Sequence, residues 1–489
     1  MSNSLTIALI LLLYFAVLML VSFFTSRKAD NDTFFRASRR SPWMVVAFGM
    51  IGASISGISF VSVPGMVQQQ GFTYLQMCIG FFVGYVVIAQ LLLPLYYRRN
   101  YTSIYTFLDE RFGATTHRTG TVVFLIGKLI SAATRLYLVC LVLHHLIFKA
   151  WGIPFVLTAL CVVLLVWLYT HSGGIRTIVW TDAIQTLCLL TALIWMFTHV
   201  LNSLDMNIEQ FWGQITQRGY TRCFIWEDWN SPQHFIKQFL SGAFITIVMT
   251  GLDQDTMQKN LTCRNLNEAK KNMYSYGITF LPVNFLFLLL GAALLLWAEM
   301  NTLTIPTEGD QLLLKMVTSG GLGRGILIYF AIGIVAAAFS SADSAMTALT
   351  TGVCVDLLNI QHSDSAKAIK LRRYTHAAVA VSVFLFICLL SLSTSGTLLD
   401  TLYTLVSYTY GPLLGLYAFG ICTKLQIKET LTPYICITSP ILCAILSFLL
   451  EKYLHYQMGY ELLLLNGFLT FLALTLSKPE QHSKGTSCS

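Results

Sequence analysis

About thirteen long apolar runs succeed one another along the chain, and each is long enough to cross a bilayer. Their cores fall near 4–24, 43–65, 72–97, 119–147, 153–170, 178–200, 234–257, 272–298, 325–350, 374–392, 398–421, 431–450 and 459–477. Backbone groups cannot stay unpaired in lipid, so apolar runs of this length become helices. The expected fold class is therefore an all-α polytopic membrane protein. Composition agrees: charged residues make up 11% of the 489 residues, and the mean hydropathy is +0.66. The first run lacks a basic lead-in and a small-residue cleavage site, so it is expected to be a retained span.

Basic residues favour the cytoplasmic side of short loops. The stretches SRKADNDTFFRASRR (26–40), YYRRNYTSIYTFLDERFGATTHR (96–118), KNLTCRNLNEAKKN (259–272) and KAIKLRR (367–373) fall on one side, and QQQGFT, NTLTIPTEGD and STSGT on the other. An odd number of spans then leaves the N-terminus outside and the C-terminus inside. The net charge of +8 is accounted for by these loops and implies no nucleic-acid partner. Twelve cysteines show no paired ligand spacing, and Cys223 is the clearest one on the outer side. The sequons at Asn31, Asn100 and Asn260 all fall in expected inner loops, which fits a bacterial plasma membrane. The tail after 477 is short and polar, too short for a fused signalling or catalytic domain.

Three spans break the apolar rule. The second reads AFGMIGASISGISFVSVPG (47–65), with glycines and serines mid-span. Its density of glycine weakens a helix. Unwound backbone at membrane depth is tolerated where it lines a cavity or is buried in protein, although close packing through small residues also explains such a run. The seventh, LSGAFITIVMTGLDQDTMQ (240–258), has a comparable Gly-Leu-Asp-Gln interruption five spans later. Paired interruptions in corresponding positions of two halves point to an inverted-repeat transporter with its site at the breaks. The ninth carries AAAFSSADSAMTALTT (336–351). On a helix Ser340, Asp343, Ser344 and Thr347 share one face, while Ser341 sits on the adjacent face with Ala337. Hydroxyls beside freed carbonyls suit Na⁺, a hard cation that takes oxygen ligands. The bland alternatives are hydroxyls bonded back along their own helix and a helix that leaves the bilayer near residue 345.

Intramembrane charges add to this pattern. Arg135 and Lys128 lie on one face of the fourth span, and Asp182 sits near the start of the sixth. A mid-span charge costs at least ~2.5–3.5 kcal/mol, so each is expected to face a cavity or a partner. Lys128 and Arg135 could form a permanent salt bridge to Asp182 or Asp253, or Arg135 could pair an anionic group on a solute.

Taken together, GASISGISFVSVPG (52–65), TFLDERFG (106–113), YTHSGGIRTIVWTDAIQ (169–185), GLDQDTMQKNLTCRNLNEAKK (251–271) and AAAFSSADS (336–344) resemble the sodium:solute symporter family. The resemblance implies a five-plus-five inverted-repeat core with extra spans at both ends. The expected division is an N-terminal helix and loop (1–41), a first repeat (42–204), a second repeat (234–421) and C-terminal helices with a tail (422–489). It implies a principal sodium site at the carbonyls of Gly52, Ile55 and Ala337 and the hydroxyls of Ser340 and Ser341. It also implies a second cation site at Asp182, Ser340, Asp343 and Ser344, where Asp343 replaces a hydroxyl and could bind a sodium or a proton. Sugar carriers of the family have aromatic residues before the seventh-span break; Val248, Met249 and Thr250 stand there instead, which argues against a galactose-like mode. Sialic-acid carriers place an arginine on the fourth span, about one turn from Arg135.

The expectation is Na⁺-coupled symport of a small organic solute, leaning to a carboxylate or acidic sugar, by alternating access. The solute pocket is expected at Ser54, Ser56, Ser59, Gln76, Arg135 and Thr246, in a plasma-membrane protein that works as a monomer. One alternative is proton coupling through Asp343 or Asp182. A second, a membrane-integral transferase, finds no catalytic constellation: the histidines are scattered, with His144, His145 and His171 at helix ends.

Overall fold

The computed structural model describes residues 3–27, 30–229, 231–360, 366–392, 398–454, 456, 458–459 and 461–477, with the side chains of residue 3, of residues 398–406 and of residue 454 outside that description. The expected outer loop STSGT and the C-terminal tail lie outside the described residues. The regular structure among the described residues is helical, apart from one isolated bridge between Ser41 and Cys263.

Eight helices are long and apolar enough to cross a membrane, and the number rises to ten when each of two bent pairs is taken as one span. Two shorter apolar helices, Phe155–Thr170 and Glu461–Leu476, occupy the fifth and thirteenth expected positions. Leu398–Cys422 occupies the eleventh.

The bent pairs are the second and seventh spans. Trp43–Ser54 and Gly57–Gln70 meet at 65°, and Phe235–Gly251 and Gln254–Asn260 at 72°. Both breaks have local causes. Ile55 and Ser56 adopt extended backbone, and Ser56 caps the half-helix Gly57–Gln70 by accepting from Ser59 N at 3.3 Å. At the second break Asp253 caps the half-helix Gln254–Asn260, its carboxylate accepting from Asp255 N at 2.8 Å. Short polar side chains offer the backbone this alternative to helix continuation.

Burial separates the spans by role. The first span exposes Leu5, Leu9, Leu12, Leu13, Leu20, Phe23 and Phe24, and the helix Thr432–Leu454 exposes Ile437, Ile441 and Phe448. Those faces are suited to lipid. The ninth span, Gly323–Thr351 with a π-helical extension to Leu357, is buried at every position from Gly333 to Thr351. A helix covered on all sides is the central element of its bundle. Its hydroxyls are therefore enclosed by protein, and the helix does not leave the bundle near residue 345.

Candidate functional site: a broken helix, a serine pair and a charged cavity

The second span approaches the sixth (Ile175–Ser203) through glycines. A Cβ at Gly49 would lie 2.9 Å from Asp182 Cβ, and one at Gly52 would collide with the Thr186 hydroxyl. With no side chain in the way, Gly52 N donates to Thr186 Oγ1 at 3.1 Å. Just beyond the break, a Cβ at Gly57 would stand 3.4 Å from Ala338 Cβ of the ninth span. Glycine thus brings the unwound segment against the helix that carries Ser340 and Ser341.

The two breaks treat their freed carbonyls differently. At the seventh span Tyr96 OH donates to Gly251 O at 3.1 Å, and Tyr105 OH donates to Leu252 O at 2.9 Å. At the second span the Ile51 carbonyl accepts from Ile55 N, but the carbonyls of Gly52 and Ile55 receive no backbone or side-chain donor among the described residues. Buried carbonyls are rarely left this way. Ser341 Oγ donates to Ala338 O at 3.0 Å, and Ser340 Oγ donates to Asp182 Oδ1 at 2.5 Å, so both hydroxyl oxygens keep lone pairs to offer. Two orphan carbonyls and two hydroxyls on facing elements make an oxygen-rich set that fits a hard monovalent cation.

The set expected around Asp182 is arranged otherwise. Lys259, on the inner half of the seventh span, places Nζ 2.7 Å from Asp182 Oδ2, with both side chains buried. Asp343 turns away to the fifth span, accepting from Tyr169 OH at 2.8 Å and from Ser344 Oγ at 3.2 Å. Ser344 also donates to Ser340 O at 2.9 Å. The expected set of Asp182, Ser340, Asp343 and Ser344 is therefore contiguous, but a lysine ammonium already stands at its main carboxylate. That is a poor fit for a second Na⁺, because two cations in a buried site repel strongly.

An open cavity adjoins the first break. Ala53, Ser54, Ile55, Ser56 and Ser59 line one wall, and Tyr74, Phe81, Tyr85, Tyr276 and Phe280 form an aromatic wall. Tyr85 OH donates to Tyr276 OH at 2.8 Å, and Tyr276 in turn bonds Ser54. The charged floor is Lys128, Arg135, Asp253 and Asp255. Lys128 Nζ reaches Asp253 Oδ2 at 3.0 Å and Asp255 Oδ2 at 2.7 Å, and Tyr410 OH donates to Asp253 Oδ2 at 2.6 Å. Of the two salt-bridge partners expected for the fourth-span cations, Asp253 is used and by Lys128. Arg135 has no carboxylate partner, and its Nε is buried without an acceptor among the described residues.

Of the expected solute residues, Ser54, Ser56, Ser59, Arg135 and Thr246 line this cavity. Gln76 does not, and this corrects the expectation. Its amide is committed to the loop before the seventh span, donating to Gln233 O at 2.9 Å and accepting from Ile225 N at 3.1 Å. Lys259, Asp255, Tyr276 and Tyr410 were not singled out as site residues from sequence. Asp253-x-Asp255 beside a buried lysine was the available signal for Asp255; nothing in the local pattern marks the tyrosines.

Comparison with known proteins follows the same lines. The model of the sodium:solute symporter family matches residues 34–426. The chain is 24% identical to a sodium/sialic acid symporter of Aliivibrio fischeri over 84% of this chain and 82% of that one. It is equally identical to one of Proteus mirabilis, over 84% and 83%. Among solved structures, a substrate-bound, outward-open Na⁺-coupled sialic acid symporter shares the fold at a TM-score of 0.81 and 20% identity, covering 96% of this chain and 97% of that one. A nucleobase-cation-symport-1 family transporter in a closed conformation aligns at a TM-score of 0.55 and 15% identity over 91% and 93%. The inverted-repeat fold class holds, sodium is the coupling ion, and the proton-coupled and transferase alternatives give way. The chain belongs to the sodium:solute symporter family: a multi-pass membrane protein, not an enzyme, that couples the movement of a small solute to sodium.

Proposed function

We propose that this symporter carries an organic anion with a carboxylate, of the acidic-sugar type, and that Arg135 receives the carboxylate. The observation behind this reading is a half-buried guanidinium that lines the cavity without a carboxylate partner among the described residues. A planar fork of donors suits a carboxylate bidentately, and leaving it unpaired at membrane depth would be costly. The names of the Aliivibrio and Proteus relatives point the same way. Ser54, Ser56, Ser59 and Thr246 then offer hydroxyls to the rest of the solute. Replacing Arg135 by methionine should weaken binding of N-acetylneuraminate by at least about tenfold, the loss expected for a charge-assisted pair. Unchanged binding would remove Arg135 from the site.

Coupling is assigned to the first oxygen set. Na⁺ bound by Gly52 O, Ile55 O, Ala337 O, Ser340 Oγ and Ser341 Oγ would tie the broken second span to the ninth. That holds Ser54–Ser59 in the shape the solute meets and links the two ligands thermodynamically. Lys259 already supplies positive charge at Asp182, so one Na⁺ per cycle is the stoichiometry this arrangement favours. A Na⁺ dependence of uptake with a Hill coefficient of about one fits this reading, because one site gives no cooperativity; a coefficient near two would instead return a cation to Asp182. The domain division given above, an outside N-terminus, a bacterial inner-membrane location and function as a monomer complete the reading.

A further inference from the structure

The carboxylate reading uses Arg135, and the same cavity is lined by a second charged group, Asp255, that it leaves unused. Lys128 and Arg135 lie seven residues apart on the fourth span, which is roughly 10 Å along a helix axis. Around Lys128 the acceptors outnumber the cations. Asp253 is fully engaged by Lys128, Tyr410 and the Asp255 backbone N–H. Asp255 gives Oδ2 to Lys128, while its Oδ1 has no hydrogen-bond partner among the described residues. Asp255 is only 7% exposed, yet it lines the cavity. Its position is set by the start of the capped half-helix Gln254–Asn260. Formal charge balances over the whole floor, Lys128 and Arg135 against Asp253 and Asp255, but Lys128 is spent on the two aspartates and Arg135 has no carboxylate within ion-pair distance among the described residues.

A buried carboxylate oxygen without a donor carries a desolvation penalty that a bound group can relieve. Resting on Arg135 as the carboxylate site, we propose that the carried solute is bipolar: a carboxylate for Arg135 and, elsewhere on the molecule, a hydrogen-bond donor for Asp255 Oδ1. Asp255 is then the residue that selects for the donor. A carboxylate with a plain hydrocarbon tail would dock at Arg135 and leave Asp255 Oδ1 without a donor, and sites built to bond a polar group reject analogues that lack it. The donor chemistry is common to a hydroxyl or amide N–H of an acidic sugar and to the ammonium of an ω-amino acid.

The test is competition binding to the purified full-length protein in Na⁺, with N-acetylneuraminate, ε-aminocaproate and caproate as probes. At least one donor-bearing probe should bind about tenfold or more tighter than caproate, and Asp255→Ala should shrink that gap to about threefold or less. The tighter donor-bearing probe identifies the source of the donor. Asp255→Asn keeps the side-chain volume and serves if the alanine variant does not stay folded; it should lower ε-aminocaproate binding more than that of N-acetylneuraminate. Caproate binding as tightly as both donor-bearing probes, or a gap that survives Asp255→Ala and Asp255→Asn, overturns the role of Asp255. If no probe binds, or if Arg135→Met changes none of them, the carboxylate reading fails and the bipolar one with it. If Arg135→Met weakens all three probes while Asp255 variants do not discriminate, only the bipolar proposal is lost.

Discussion

Ser340 serves two neighbours at once. Its hydroxyl donates to Asp182 Oδ1, and its oxygen keeps a lone pair for the cation proposed at the break in the second span. Ser341 has a simpler role, since its hydroxyl bonds, among the described residues, back to Ala338 O on its own helix. The two serines should therefore respond differently to truncation. Ser341→Ala removes one cation ligand and should raise the Na⁺ concentration for half-maximal uptake while leaving thermal stability within ~1 kcal/mol. Ser340→Ala should raise it as well and also weaken the fold, because Asp182 then loses a donor inside a buried ion pair. A buried pair left incomplete costs about 3–5 kcal/mol when one charged partner is removed, so Lys259→Met should be the most destabilising change in this cluster. A thermal-unfolding comparison of Ser341→Ala, Ser340→Ala and Lys259→Met that did not rank them in that order of increasing loss would contradict the assignment. The serines and Asp182 stand out in the sequence because polar groups in an apolar run are conspicuous. Lys259 does not, because it follows the break by a few residues and reads as the start of a basic inner loop; only the 72° bend turns it inward to Asp182.

At the scale of elements, the two breaks divide the work. The seventh-span break is closed by protein: Tyr96 and Tyr105 take its carbonyls, and Asp253 caps its inner half. The second-span break is left open toward the ninth span, which is where an ion can complete it. Tyr105→Phe should therefore lower stability by ~1 kcal/mol or somewhat more, the worth of a buried hydrogen bond, with little change in the Na⁺ midpoint. Gly52→Ala should do the opposite kind of damage. Its new Cβ meets Thr186, pushing the second span from the sixth and spoiling the geometry of the Gly52 carbonyl. A Gly52→Ala protein with normal Na⁺-dependent uptake would show that this close approach is dispensable. The breaks themselves were legible in sequence, as glycine and Asp-Gln interruptions five spans apart. Which break keeps its carbonyls free was not, because the tyrosines that close the other one come from residues some 150 positions away, 96 and 105 against 251 and 252.

For the whole molecule, alternation of apolar runs and basic loops was enough to give the class of fold, since lipid permits so few solutions. The number of crossings was less legible than the class. The fifth and thirteenth are short helices, and two spans are bent, so length and composition alone support eight to ten. Gln76 shows why the solute site was harder still: a polar residue near the outer end of a span reads as a pocket lining until the loop that engages it is seen. Charge placement sets the expected orientation, and a protease added to sealed, right-side-out vesicles should remove a tag at the N-terminus and spare one at the C-terminus.

The central claim is that an ion at the open break couples to a solute in the adjoining cavity. Its most direct test is solute binding to the purified protein, titrated with Na⁺ at constant ionic strength, in the wild type and in Ser341→Ala. Linkage requires Na⁺ to raise solute affinity and the solute to raise Na⁺ affinity by the same factor. The account predicts that reciprocity, with the Na⁺ midpoint displaced upward in Ser341→Ala and solute affinity recovered at saturating Na⁺. Solute affinity indifferent to Na⁺, or an identical midpoint in both proteins, would contradict it.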